Sequence, residues 1–242
     1  MDELKAVLER STASGRLRGV VALVADGKGI QFQHASGYAR DGVSMQPDTL
    51  FNIASMTKLV TTIAVLQLVE VEELDLDVPV DRYLPELGSI KVLQEFASDG
   101  TPEFRPPLSI PTARELLTHT SGFVYEVWNA NAFDALQLGM VQSLFSGRPA
   151  LDAPLAFDPG EGWEYGIGID WAGLLLEAVS GENLMAYFGA HIFTPLAMLD
   201  TAFDIPVEKM GRVMTRYGRG ACLLYTSPSP RDATLSRMTS SD

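Results

Sequence analysis

A short polar segment followed by a long apolar one most constrains how this chain can fold. Residues 51–58 read FNIASMTK, and the apolar run Leu59–Val71 follows at once. Few polar positions interrupt that run, so it predicts a long helix with protein on most of its sides. Ser55 and Lys58 are three residues apart, which places both side chains on the same helical face. The pattern predicts a loop that delivers a serine and an amine to the first turn of a buried helix.

Ser55 and Lys58 together have the chemistry of an activated nucleophile. A lysine amine is protonated in neutral water, but burial and the positive end of a helix dipole both disfavour the ammonium form. In the simpler alternative, Ser55 only caps the helix and Lys58 is solvated, as is the case for most Ser-x-x-Lys sequences. The choice between the two depends on what else the chain supplies.

Composition limits the classes of protein to which the chain can belong. It has 242 residues, enough for one large domain or two small ones, and its net charge of −13 argues against a nucleic-acid partner. No apolar run reaches the roughly 18 residues of a membrane span, so we expect no membrane partner. The single cysteine, Cys222, and a start without an apolar leader predict a cytoplasmic protein. His34, His119 and His191 lack metal-ligand spacing, and we expect no metal or cofactor.

Local patterns divide the chain into three predicted regions. Residues 1–50 contain an amphipathic helix and a β-hairpin and form part of an α/β domain. Residues 51–220 are mostly helical and carry the Ser-x-x-Lys segment. Residues 221–242 are rich in Ser, Thr and Pro, which predicts a disordered tail of non-native appearance. A hairpin is marginally stable by itself, so the first region needs a further strand or a helix against it.

Several shorter signals lie within the helical region. Residues 112–115 fit a capping box, and Gly122 suits a left-handed helix cap. We expect a surface loop at 97–107 and one helix at 129–145. We also expect His119 to form a local hydrogen bond near the end of the capped helix. The aromatic residues that follow the Ser-Gly turn suit an acyl pocket and core packing equally well; they are Phe123, Tyr125 and Trp128.

Three further segments favour the catalytic interpretation of Ser55 and Lys58 over the helix-cap alternative. They are LLTHTSG at 116–122, Pro159-Gly160 followed by Trp163 and Tyr165, and IFTPLAM at 192–198. With them, the chain resembles the serine β-lactamase and penicillin-binding protein superfamily, and most closely class C β-lactamase-like members and family VIII carboxylesterases. This resemblance extends over roughly residues 4–218 and implies an α/β (α+β) fold. That fold has an antiparallel sheet flanked by helices with an inserted all-helical domain, and only its N-terminal strands are present here.

The resemblance also implies catalytic roles. Ser55 matches the family's nucleophile, Lys58 its amine and Tyr165 its second acid/base group. We expect Lys58 and Tyr165 to share protons and to remove the one on Ser55 during acylation, after which Tyr165 activates water or an alcohol. A nearby cation would stabilise the phenolate of Tyr165. Without the Ser-x-x-Lys segment, a structural tyrosine would be the simpler interpretation of Tyr165.

Two departures from the family pattern refine these expectations. Class C β-lactamases carry an asparagine two residues after the tyrosine, where this chain has Ile167. A β-lactam would lose an amide partner there, which favours small esters as substrates. The family's third motif, on a later strand that supplies one oxyanion donor, has no match after Leu199. We therefore expect a C-terminally truncated chain with little or no activity of its own.

The sequence thus predicts a serine hydrolase that acts through an acyl-serine intermediate, either a carboxylesterase or an acyl transferase for small esters. A β-lactamase or D-alanyl-D-alanine carboxypeptidase is the alternative within the same family. A non-catalytic β-lactamase-like binding module is the alternative of another class. The sequence leaves the acyl and alcohol specificity and the oligomeric state open.

Overall fold

The computed structural model describes residues 1–144, 151–219 and 224–226. Contacts divide the described residues into two compact units, the first made of residues 1–53 and those described from residue 204 onward, and the second of those described within 54–203. Apart from 224–226, the predicted tail at 221–242 lies outside the described residues. The predicted domain boundaries at residues 50 and 220 stay predictions.

The first unit is built on an antiparallel sheet. In chain order its elements are α1 (Asp2–Ala13), β1 (Gly19–Asp26), β2 (Gly29–Arg40), β3 (Val43–Ser44), a 3₁₀ segment (Val207–Arg212) and the antiparallel pair β6 (Tyr217–Arg219) and β7 (Leu224–Thr226). β1 and β2 form the predicted hairpin, β3 extends it to a third strand, and α1 packs against β1 and β2. The hairpin therefore has both of the supports that two isolated strands lack.

The part of this unit that begins at residue 204 is joined to residues 1–53 by hydrogen bonds. The Leu50 N–H donates to the Arg212 carbonyl at 2.9 Å, and the Met214 N–H donates to the Leu50 carbonyl at 2.9 Å. The Arg40 guanidinium also donates to the carbonyls of Gly211 and Val213, at 2.7 and 3.1 Å. These bonds attach the segment after residue 204 to β2, through Arg40, and to Leu50, which lies after β3.

Helices outnumber strands in the second unit. In chain order its elements are a 3₁₀ turn (Ala54–Met56), α2 (Thr57–Glu70), two 3₁₀ turns (Val80–Arg82 and Pro85–Ser89), β4 (Val92–Phe96), β5 (Pro102–Arg105), α3 (Ala113–Thr118), α4 (Ala130–Gln137), α5 (Gly168–Ser180), α6 (Leu184–Phe188) and a π-helical turn (Gly189–Phe193). α5 packs against α2, α3 and α6. It is apolar almost all round, and Trp171, Leu175 and Leu176 are buried. Gly181, with a φ of 72°, ends it in a left-handed cap.

α2 packs on one side, against α5 and α6. The buried face is Thr61, Ala64, Val65 and Leu68, which recur at helical spacing. On the other side Leu59, Ile63 and Leu66 are exposed. The prediction that protein surrounds this helix on most sides is therefore wrong for the described residues.

The signals around α3 are confirmed with one correction. The Thr112 hydroxyl accepts from the Glu115 N–H at 3.3 Å, and the Glu115 carboxylate accepts from the Thr112 N–H at 2.7 Å, so the capping box is complete. The left-handed cap, however, is His119, with a φ of 60°. Gly122 also has a positive φ, of 89°, but it lies three residues beyond the cap.

Two other local predictions are wrong. Much of the loop expected at 97–107 belongs to a hairpin in which β4 and β5 pair antiparallel. The helix expected at 129–145 is shorter, because α4 ends at Gln137. Gly139, with a φ of 69°, turns the chain there, and the Met140 N–H bonds back to the Ala135 carbonyl at 2.9 Å. Residue 145 lies outside the described residues.

The described residues therefore combine antiparallel strands and helices, as the predicted α/β (α+β) class requires. In this part of the chain, no helix combines the length and the apolarity that crossing a membrane demands.

Candidate active site

Ser55 lies in the 3₁₀ turn that runs directly into α2, and it is exposed. Lys58 follows in the first turn of α2, so the two residues share one face of a continuous helical segment. Ala54, immediately before the serine, has a φ of 43°. This left-handed conformation costs a non-glycine residue about 1–2 kcal/mol, and such strain clusters at functional sites. The backbone around Ser55 is thus strained in the way that functional segments often are.

The Lys58 amine lies against two tyrosines. Its Nζ donates a hydrogen bond to the Tyr125 hydroxyl at 3.2 Å. The same Nζ is 5.1 Å from the Tyr165 ring centroid and 5.6 Å from that of Tyr125, distances at which a ring face attracts a cation. The structure therefore brings Lys58 and Tyr165 together from distant parts of the sequence. The catalytic roles of Ser55, Lys58 and Tyr165 stay predictions.

Tyr125 is the first site residue for which no catalytic role is predicted from the sequence. It is only 5% exposed, and its ring centroid is 5.5 Å from that of Tyr165. Burial raises the pKa of the Tyr125 hydroxyl, and the nearby Asp170, Tyr165 and Glu126 raise it further. Tyr125 is therefore a neutral phenol whose oxygen accepts from Lys58. The aromatic residues after the Ser-Gly turn were the available signal, but they indicated core packing equally well.

Asp170, in the first turn of α5, adds a buried carboxyl group to this region. Its Oδ2 is inaccessible to solvent and has no hydrogen-bond partner among the residues that the structure describes. Burial raises the pKa of Asp170, while the Lys58 ammonium opposes that rise. No motif in the sequence predicts a role for this residue. Its signal is an acidic side chain in the first turn of a mostly apolar helix.

His119 contacts the chain on both sides of Tyr165. Its carbonyl accepts from the Glu164 N–H at 3.0 Å, and its Nδ1 accepts from the Gly166 N–H at 3.4 Å. The imidazole centroid is 4.7 Å from that of the Tyr165 ring. Burial lowers the pKa of His119, and the positive charge of Lys58 lowers it further. The His119 N–H makes the expected local hydrogen bond, to the Glu115 carbonyl, whereas the His119 imidazole bonds to Gly166, far along the sequence.

The described ranges contain no group of His, Cys, Asp and Glu side chains that could hold a metal ion. The polar groups described above are the Ser55 hydroxyl, the Lys58 amine, two tyrosine phenols, the Asp170 carboxyl and the His119 imidazole. These groups suit proton transfer to and from a serine.

Comparison with known proteins identifies the family. Residues 4–242 match the family described as Beta-lactamase. The chain belongs to the beta-lactamase family. Within that family, the acyltransferase mokF of Monascus pilosus is 35% identical over 213 residues, which are 84% of this chain and 52% of that protein. Lovastatin esterase of Penicillium rubens is 35% identical over 204 residues, which are 78% of this chain and 50% of that protein. The chain spans about half the length of these relatives.

A solved structure supports the same assignment. A variant of simvastatin synthase from Aspergillus terreus matches with a TM-score of 0.86 and 32% sequence identity, over 95% of this chain and 58% of that one. The β-lactamase-like fold class predicted from the sequence is confirmed by this similarity. The relatives are also esterases and acyltransferases of the beta-lactamase family, which confirms the resemblance to its esterase-like members.

Proposed function

We propose that the full-length protein carrying this sequence is a serine hydrolase or acyl transferase that forms an acyl-Ser55 intermediate with small carboxylic esters. One observation carries the proposal. The Lys58 Nζ lies 3.2 Å from the Tyr125 hydroxyl and 5.1 Å from the Tyr165 ring centroid, about one helical turn from Ser55. The printed names of the relatives, an acyltransferase and a lovastatin esterase, support the same chemistry.

In the acylation step the Ser55 Oγ attacks the ester carbonyl carbon, and its proton passes to the Lys58–Tyr165 pair, which before the step shares a single proton (ammonium with phenolate, or amine with phenol). A bond forms between Oγ and the acyl carbon, the ester C–O bond breaks, and the proton passes to the departing alcohol oxygen. Tyr125 holds the Lys58 amine in place through the 3.2 Å hydrogen bond. In the second step Tyr165 takes a proton from water or from a second alcohol, whose oxygen attacks the acyl carbon. The bond between that carbon and the Ser55 Oγ then breaks, the proton returns to Oγ, and the acid or a new ester is released.

The residue two positions after Tyr165 favours esters over β-lactams. Ile167 is 3% exposed and packs in the apolar core of the second unit. An aliphatic side chain has neither donor nor acceptor for the acylamide group of a β-lactam. We expect faster turnover of p-nitrophenyl butyrate than of nitrocefin. Nitrocefin turnover at the same rate would favour the β-lactamase or carboxypeptidase alternative.

The role of each residue is tested by single variants of the full-length protein. Ser55→Ala should abolish labelling by a fluorescent fluorophosphonate together with ester turnover. Tyr165→Phe should lower kcat about 10²–10⁴-fold, the usual contribution of a general acid or base. The matched controls are Ser89→Ala, at an exposed serine of the same unit, and Tyr83→Phe, at a partly buried tyrosine. Full turnover in either site variant refutes the role of that residue, and a wild-type protein that the probe does not label would favour the binding-module alternative.

The proposed substrate is a small ester, and this follows from the site and from the relatives. A cytoplasmic location and the lack of nucleic-acid and membrane partners stay predictions from composition. Size-exclusion chromatography with light scattering would give the oligomeric state.

A further inference from the structure

Tyr165 lies in a segment without regular secondary structure. Residues 162–165 connect a turn to the beginning of α5, and no helix or strand fixes their backbone. A catalytic phenol on such a segment must be held by other contacts, because a displacement of about 1 Å can cost about 10²-fold in rate. The question is which residue holds it.

The contacts of Tyr165 converge on the end of α3. His119 ends that helix with a φ of 60° and a ψ of 33°, a left-handed conformation. From this position its carbonyl and its imidazole both reach the segment around Tyr165. The carbonyl accepts from the Glu164 N–H at 3.0 Å, and Nδ1 accepts from the Gly166 N–H at 3.4 Å. The two residues bonded in this way are the immediate neighbours of Tyr165.

The ring of His119 also contacts the side chains of this segment. Its centroid is 4.7 Å from that of Tyr165, with the planes tilted by 51°. It is 6.2 Å from that of Trp163 in an edge-to-face arrangement. His119 therefore contacts Trp163, Glu164, Tyr165 and Gly166 in succession, twice through backbone N–H groups and twice through rings.

The bond from Gly166 requires an unprotonated Nδ1, since only a neutral imidazole has an acceptor nitrogen. Burial and the nearby Lys58 ammonium both lower the pKa of His119. The ring is therefore neutral at pH 7, with its proton on Nε2 and its Nδ1 lone pair directed to Gly166.

We infer that His119 is a positioning residue, which fixes the Tyr165 phenol against Lys58 by bonding the backbone on both sides of it. This inference rests on the proposed function, because it presupposes that Tyr165 is the acid/base group. His119 acts through Tyr165 and takes no proton from the substrate. Its removal should therefore lower kcat with little change in KM.

Two substitutions separate the acceptor from the backbone conformation. His119→Gly keeps the left-handed turn without strain but removes both Nδ1 and the ring. We expect kcat to fall about 10²-fold, the cost of a misplacement of about 1 Å. His119→Asn tolerates a positive φ and places an amide oxygen near the position of Nδ1. On a logarithmic scale, we expect the kcat of His119→Asn to lie at least halfway from that of His119→Gly back to the wild-type value.

A double-mutant cycle tests whether His119 acts through Tyr165. In the Tyr165→Phe background, His119→Gly should cause no further loss, because the phenol that it positions is already absent. Rates are measured as p-nitrophenyl butyrate turnover and as the rate of Ser55 labelling by the fluorophosphonate. A full second loss in that background, or wild-type kcat in His119→Gly alone, overturns the inference.

The remaining outcomes are also decisive. If His119→Gly does not fold, as judged by its thermal melt, His119→Asn is compared with His119→Gln, whose amide oxygen reaches the Nε2 position instead. A higher kcat for Asn supports the inference, and equal values overturn it. Wild-type turnover in Tyr165→Phe would remove the proposed role of Tyr165 and the inference with it. If Tyr165→Phe is impaired but His119→Gly is fully active, the inference about His119 is overturned and the proposed role of Tyr165 stands.

Discussion

Gly166 occupies a position where a side chain does not fit. A Cβ on this residue would lie 2.2 Å from the Phe123 carbonyl oxygen and 2.5 Å from the Val124 Cα. Cβ atoms in proteins essentially never approach other atoms within 3.0 Å. In Gly166→Ala the two backbone segments must therefore separate by at least about 0.8 Å. Backbone atoms cannot rotate away as a flexible side chain can, so the chain itself has to move.

Gly166, whose backbone has to move, is the residue next to Tyr165. Under the proposed function, displacing the phenol by nearly 1 Å should lower kcat about 10²-fold. The overpacking itself should cost about 1–3 kcal/mol of unfolding free energy. In a protein of this size each kcal/mol corresponds to about 2–4 °C in Tm, so we expect a Tm lower by about 2–12 °C.

The assay compares three alanine variants of the full-length protein by ester turnover and thermal melting. Gly168→Ala should have a smaller effect than Gly166→Ala, because its Cβ would lie 2.8 Å from the Leu116 carbonyl oxygen. Gly189→Ala is the matched control, since among the described residues no atom outside its chain neighbours and its own helix backbone lies within 4 Å of the added Cβ, and its backbone is helical. It should keep wild-type kcat and gain up to about 1 kcal/mol. A Gly166→Ala protein indistinguishable from Gly189→Ala in both measurements would refute the steric reasoning.

Two further predictions concern ionisation. Asp170→Asn should raise the Tm at pH 7, because burial disfavours the ionised carboxylate and the amide carries no charge, while exposed Asp134→Asn should leave it unchanged. A lower Tm for Asp170→Asn would show that attraction to Lys58 outweighs burial. The second prediction follows from the lowered pKa of His119. Below pH 6.5, the ordinary value for the side chain, the unfolded chain binds a proton that the folded protein does not, so stability should fall as pH decreases toward the lowered pKa. His119→Asn should lose this part of the pH dependence in urea titrations between pH 5 and 8, and an unchanged profile would contradict the assignment.

Local signals in the sequence were sufficient where the structure itself is local. The β1–β2 hairpin and the capping box at Thr112 depend on residues close together in the chain, and both are confirmed. The β4–β5 hairpin was missed although its turn contains Asp99-Gly100, a common hairpin signal. Asp99 accepts from the Thr101 N–H at 2.9 Å and the Ala97 N–H bonds across to the Thr101 carbonyl at 2.8 Å. The prolines and charged residues around this turn concealed the alternation that usually accompanies a strand.

Only some residues of the candidate active site could be predicted from the sequence. Ser55, Lys58 and Tyr165 could be proposed because each belongs to a motif that can be read in the sequence alone. Tyr125, His119 and Asp170 come close to Lys58 only after α3 and α5 have packed together, and the sequence contains no measure of that packing. The packing itself depends on Gly168, where a Cβ would lie 2.8 Å from the Leu116 carbonyl oxygen. A single small residue thus permits contacts that no local pattern predicts.

Burial gives the two phenols beside Lys58 different properties. Tyr125 is 5% exposed and its hydroxyl has a raised pKa, so it keeps its proton and serves as a fixed acceptor for the Lys58 amine. Tyr165 is only partly buried, lies on an irregular segment, and has its ring centroid 5.1 Å from the same amine. Under the proposed function, the phenol that exchanges protons must be the one that a substrate can approach. The structure therefore favours Tyr165 over Tyr125 as the acid/base group, for a reason independent of the motif that first suggested it.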